Sequence, residues 1–106
     1  MATKQSTADF LVDQMSLAGE VRSRKMFGEY AIYCDDKVVA LVCDEQLFVK
    51  PTIAGKNFIG DVTEAPPYPR AKPHFRIDGD RWEDREWLSS LIAKTAAELP
   101  EPKRKK

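Results

Sequence analysis

At 106 residues, with 42% hydrophobic and 32% charged side chains, the chain has the make-up of one globular domain able to fold on a single core. Its zero formal net charge hides a basic tail, Lys103 to Lys106, beside a body of 13 basic and 16 acidic side chains over residues 1–100, a balance that makes the body a poor general binder of phosphate backbones and leaves any nucleic-acid contact to local patches or the tail. No apolar run approaches the roughly 20 residues of a membrane-spanning helix, and the polar N-terminus lacks the apolar core of a secretory signal, so the expected address is cytoplasmic.

Ser6 or Thr7 is expected to cap a first helix through Ala18, with Asp9 near its positive end. Ala8, Leu11, Val12, Met15 and Ala18 recur at spacings of three and four, giving one apolar stripe, and Gly19 ends it. Val21 to Lys25 then reads as a basic edge strand. The stretch from Glu29 to Cys34 is aromatic and β-branched, Asp35-Asp36-Lys37 forms a turn, and Val38 to Cys43 returns. Asp44-Glu45 turns again into a strand from Gln46 to Lys50. Short acidic turns at this spacing predict an antiparallel meander. Its central strand is apolar on both faces, so both need cover: the terminal helices on one side, and a dimer partner on the other.

Pro51 stops the meander, and a short helix is expected from Thr52 to Gly60 although Gly55 weakens it. Ala65 to Pro73, "APPYPRAKP", reads as a loop before a strand from His74 to Ile77 and a turn at Asp78-Gly79. Asp80 and Glu83 have capping-box spacing ahead of a last helix. Leu88, Leu91, Ile92, Thr95, Ala96 and Leu99 form its stripe, and Pro100 ends it. The expected fold is therefore α+β: an antiparallel sheet, a meander plus one later strand, with N- and C-terminal helices packed on it. It forms one domain over residues 1–100, with a solvated basic tail over 101–106.

The sequence offers little chemistry. Cys34 and Cys43 fall at opposite ends of a hairpin, on the order of 16 Å apart, and read as reduced, mostly buried thiols rather than a disulfide. His74 is the lone histidine, and no metal-ligand spacing accompanies it. Lys56 follows a glycine but precedes Asn57, so the segment is no phosphate loop. Paired acids in the turns read as solvated residues rather than general acids or bases. The expectation is a non-enzymatic protein with no cofactor and no metal. Two basic groups are better leads: Arg22, Arg24 and Lys25 before the sheet, and Arg70, Lys72 and Arg76 around the proline loop. Tyr68, His74 and Phe75 are interleaved with the second group, a mix that can stack on bases or grip an acidic partner.

Arg24-Lys25-Met26-Phe27-Gly28, then Tyr30-Ala31-Ile32-Tyr33, Ala40-Leu41-Val42 and Leu47-Phe48-Val49-Lys50, follow in an order that resembles the TfoX N-terminal domain family. The likeness extends more loosely through the proline loop and the last helix. It implies a two-layer fold of the secretion-chaperone-like kind. It also implies a link to competence regulators, thought to help a cyclic-AMP receptor protein act at a class of promoters. Those regulators carry a second, C-terminal domain, and this chain ends where the first would. Within the motif, Met26 and Phe27 are expected to face the core, with Gly28 as a bend or bulge. The resulting expectation is a protein-interaction module in transcriptional control. Direct nucleic-acid binding through the two basic groups is the first alternative, and a small-molecule-binding domain or enzyme the second.

Overall fold

A computed structural model describes residues 3–100; the basic tail of 101–106 lies outside them. The elements run α1 (Gln5–Gln14), β1 (Val21–Met26), β2 (Glu29–Cys34), β3 (Lys37–Cys43), β4 (Gln46–Val49), α2 (Ile53–Ile59), β5 (Thr63–Ala65), β6 (His74–Ile77), α3 (Gly79–Trp82) and α4 (Arg85–Glu98). All six strands join one antiparallel sheet in the order β1-β2-β3-β4-β6-β5. The α+β class and the meander are as the sequence predicts. An additional strand, β5, follows α2: three residues of ordinary β-propensity carry no signal until β6 offers them a partner.

Three two-residue turns build the meander. Asp35-Asp36 and Asp44-Glu45 both have positive φ at each position (51° and 70°, 54° and 60°), the twist that matches antiparallel strands. Phe27-Gly28 forms the third, with φ of 53° and 80°. Gly28 is thus the second residue of a tight turn rather than a bulge; the register shift lies between Ile32 and Tyr33.

One face of the sheet carries the helices. Ile32, Cys34, Val39, Val42, Leu47, Val49, Phe75 and Ile77 meet Ala8, Leu11 and Met15 of the N-terminal segment and Leu88, Leu91, Ile92 and Ala96 of α4. The stripe of α4 and that of the N-terminal segment, apart from half-buried Val12, therefore face the core, and the terminal helices pack where the periodicity places them. Helix boundaries differ for reasons outside the helices. α1 begins at Gln5 after Lys4, with no side-chain cap from Ser6 or Thr7, and Asp9 falls beyond the first turn. The capping acceptor comes from the β3–β4 turn: the Glu45 carboxylate accepts from the Lys4 amide at 2.6 Å and from the Thr7 hydroxyl at 2.5 Å. α1 ends at Gln14 and continues as a 3₁₀ turn, Ser16–Ala18. Asp80 and Glu83 form no capping box for the last helix. Asp80 lies inside α3, and Asp84 caps α4 by accepting from the Trp87 amide at 3.0 Å. The N-terminus of α2 is capped by the Thr52 hydroxyl and by Glu98, whose carboxylate accepts from the Ile53 and Ala54 amides at 2.9 Å each.

The turn acids expected to be merely solvated are therefore in part structural. Hydrogen bonds from the Thr7 hydroxyl and the Lys4 amide hold the Glu45 carboxyl below its ordinary value, and the Ala54 and Ile53 amides do the same for Glu98. A carboxyl depressed in the folded state contributes stability above its unfolded pKa and loses it as pH falls through the folded value. The melting temperature is accordingly expected to fall between about pH 5 and pH 3, more steeply in wild type than in a Glu45→Gln/Glu98→Gln double variant. Parallel pH profiles for the two proteins would contradict the capping roles.

Candidate functional site

Among the described residues no helix lies on the sheet's second face. Strand register sets Arg24, Ala31, Leu41, Phe48 and Arg76 side by side in one row across β1, β2, β3, β4 and β6. Four inter-strand spacings separate the two arginines, on the order of 19 Å between their α-carbons. An apolar band bracketed by guanidinium groups results. Neither Arg24 nor Arg76 has an ion pair or side-chain hydrogen bond among the described residues. Arg22 shares the face, stacked 4.6 Å over the Tyr33 ring and 3.1 Å from the Asp36 carboxylate. Both members of that ion pair are largely exposed, so it constrains the guanidinium weakly.

The second face is covered in part from within the chain. The proline loop crosses it, burying Pro67, and leaves a groove of about 470 Å³ beside the β1–β2 hairpin. Met26, Phe27, Ala31, Leu41 and Cys43 line it from the sheet, and Pro67 and Tyr68 from the loop. This corrects the expected placement of the family motif: Phe27 is fully exposed at the hairpin tip and Met26 is 40% exposed. An apolar pair just before a sheet resembles a core entrance in sequence, but a two-residue turn leaves its first residue no neighbours to pack against. A bulky residue at φ 53° is also an outlier on steric grounds. Phe27 therefore costs the fold on both counts, exposed apolar area and backbone strain.

The remaining candidates are divided. Arg22, Arg24 and Arg76 share the helix-free face, whereas Lys25 pairs with Tyr30 on the opposite one. Arg70 (φ 73°) and Lys72 are exposed in the proline loop. Phe75 is 3% exposed in the core and does not join the second basic group as a stacking surface. His74 holds the Lys72 carbonyl at 2.9 Å, which accepts from Nδ1. The groove itself, with Leu41, Cys43 and Pro67 brought together, escaped the sequence reading. The two-sided apolarity of β3 was its one signal, and it could not say that the proline loop folds over that side.

Ordinary reactive groups in the groove are engaged or suppressed. The Glu29 carboxylate accepts from the Thr3 hydroxyl and from the Asp44 amide at 3.1 Å. Burial, reinforced by Glu29 and Asp44, pushes the Cys43 thiol up to about 11, and burial also raises Cys34. Both cysteines are unpaired, and thiols whose pKa is raised by burial are poor nucleophiles near neutral pH. Among the described residues no three His, Cys, Asp or Glu side chains gather in a way that could hold a metal ion. No helix among them is long and apolar enough to cross a membrane. The arrangement is equipped for contact: an apolar groove with an exposed aromatic tip, on a sheet face that also carries Arg22, Arg24 and Arg76.

The family model of the TfoX N-terminal domain matches residues 13–99. A relative from Spirochaeta aurantia, described as an uncharacterized 12.7 kDa protein in the trpE 5' region, is 44% identical over 106 residues, covering 100% of this chain and 91% of its own length.

Proposed function

The chain belongs to the TfoX N-terminal domain family, and from that premise we propose that it is a non-enzymatic interaction module acting in transcriptional control. Its working surface is the helix-free face of the sheet. The observation that carries this reading is Phe27: a fully exposed aromatic at positive φ lowers stability, and an interaction surface gives it a reason to stay. The partner class follows from the resemblance to competence regulators, with a cyclic-AMP receptor protein as the first to examine.

Phe27→Asn separates stability from function. Asn adopts positive φ more readily than Phe, so the variant is expected to gain roughly 1 kcal/mol, about 4–8 °C in melting temperature. It is expected to lose partner binding as it gains stability. Thermal melts of wild type and Phe27→Asn check the first, and affinity capture from native cells with each protein checks the second. Recovery of no transcription protein by wild type, or equal recovery by the variant, would overturn the reading.

A second reading is direct nucleic-acid binding, favoured by the shared orientation of Arg22, Arg24 and Arg76. It requires salt-dependent retention of single-stranded or duplex DNA that is lost when those arginines become alanine. No retention at low salt would end it.

A further inference from the structure

Backbone is left open along one side of the sheet. Among the described residues β1 pairs with β2 alone, so every second amide and carbonyl along Val21–Met26 faces outward without a strand partner there. Six residues make an edge on the order of 20 Å long. Arg22, Arg24, Lys25 and Met26 are exposed along it, and Arg24 and Lys25 have no ion pair among the described residues. The edge ends at Met26 and Phe27, on the lip of the groove.

Charge decides what fits there. A second copy joining through its own β1 about a two-fold axis would, in each central register, set one kind of like-charged pair directly opposite (Arg22 and Arg24, Arg22 and Lys25, Arg24 and Arg24, or Arg24 and Lys25), and like charges directly opposite are destabilising. The far edge, β5, is only three residues long, and its Glu64 already lies 3.9 Å from Lys56. What complements β1 is an extended segment carrying acids at matching positions.

We propose that β1 is a docking strand for an acidic peptide that adds antiparallel to its free edge, with the pattern apolar–acidic–acidic–any–acidic. The apolar side chain lies opposite Met26, at the groove beside Phe27. The three acids lie opposite Lys25, Arg24 and Arg22 in turn, and the free position lies opposite Ser23. Main-chain hydrogen bonds supply affinity, while the groove and the basic side chains supply register and specificity. This rests on the interaction reading above and names the chemistry of its partner.

The test is titration of the isotope-labelled full chain with acetyl-Ser-Phe-Asp-Glu-Ser-Glu-Ser-amide, followed by amide NMR shifts. Saturable changes centred on Val21–Met26 and the groove are expected. Binding should weaken at least about tenfold when the peptide's acids become lysines, or when its alternate amides are N-methylated. An Arg24→Glu/Lys25→Glu variant, altered only at exposed positions, should lose the acidic peptide to a similar degree and gain the lysine one. No saturation by about 1 mM peptide, shifts elsewhere, or indifference to N-methylation would overturn the proposal. So would sedimentation showing a wild-type dimer that Arg24→Glu dissociates, or an oligonucleotide that shifts the β1 amides where the peptide does not. If transcription proteins are captured but the peptide fails, the docking strand falls and the interaction face stands. If the peptide binds and no such protein is captured, the transcriptional assignment falls instead.

Discussion

Leu91→Ala is expected to lower the unfolding free energy by about 2–5 kcal/mol, a large share of the roughly 5–15 kcal/mol available to a domain of this kind. Leu91 is fully buried in α4 and lies where α2 and β6 converge on that helix. A β-carbon placed on Gly55 would stand 3.5 Å from Leu91 Cδ1 and 3.6 Å from Phe75 Cε2, so Leu91 and Phe75 converge on that glycine with room for little more than a methyl group. Truncation leaves a cavity that α2 cannot close by settling inward. Its N-terminus is tied to Glu98 of the same helix α4 and to Thr52. Denaturant unfolding checks the result: the midpoint should fall with an unchanged slope. A loss below about 1 kcal/mol would mean that the junction relaxes or is not packed as described.

Gly19→Ala is expected to cost about 2–4 kcal/mol although it adds one methyl group at an exposed position. Gly19 has φ 151° and ψ −151°, a region that essentially only glycine occupies. A β-carbon there would also stand 2.8 Å from one Asp35 carboxylate oxygen and 3.0 Å from the other. That carboxylate accepts from the Glu20 amide at 3.0 Å, while the Asp35 amide donates to the Glu20 carbonyl at 2.9 Å. The pair pins the entry of β1 to the β2–β3 turn. Alanine therefore both strains the backbone and displaces the pinning acid. Asp35→Gly tolerates the turn's φ of 51° and removes the carboxylate. In that background Gly19→Ala should cost less, the difference measuring the displacement. Equal costs in the two backgrounds would leave backbone strain as the whole effect.

Much of the fold was legible because its signals are local. The stripes of α1 and α4, the acid pairs at two hairpin turns and the run of β-formers from Glu29 to Val49 each follow from side chains close in sequence. Periodicity reports which side of an element is apolar, and a sheet with apolar residues on two sides needs two covers. Local pattern falls short where the deciding partner is remote. The cap of α1 is Glu45, some forty residues away, and that of α2 is Glu98. Neither spacing belongs to any helix motif.

The candidate site divides along the same line. The basic character of β1 and its place at an edge are written in Val21 to Lys25, and Met-Phe-Gly opens the ordered set of segments by which the chain resembles its family. Only the tertiary structure decided that Phe27 stands out in solvent rather than in the core, since its environment is set by a two-residue turn with positive φ. Likewise, only strand register put Arg24 and Arg76 in one row. A residue's face on a strand follows from its own neighbours, whereas its partners across the sheet depend on every turn between them. Sequence determined the elements and their apolar sides. Chain closure over long distances decided which surface was left open, and with it where to look for a partner.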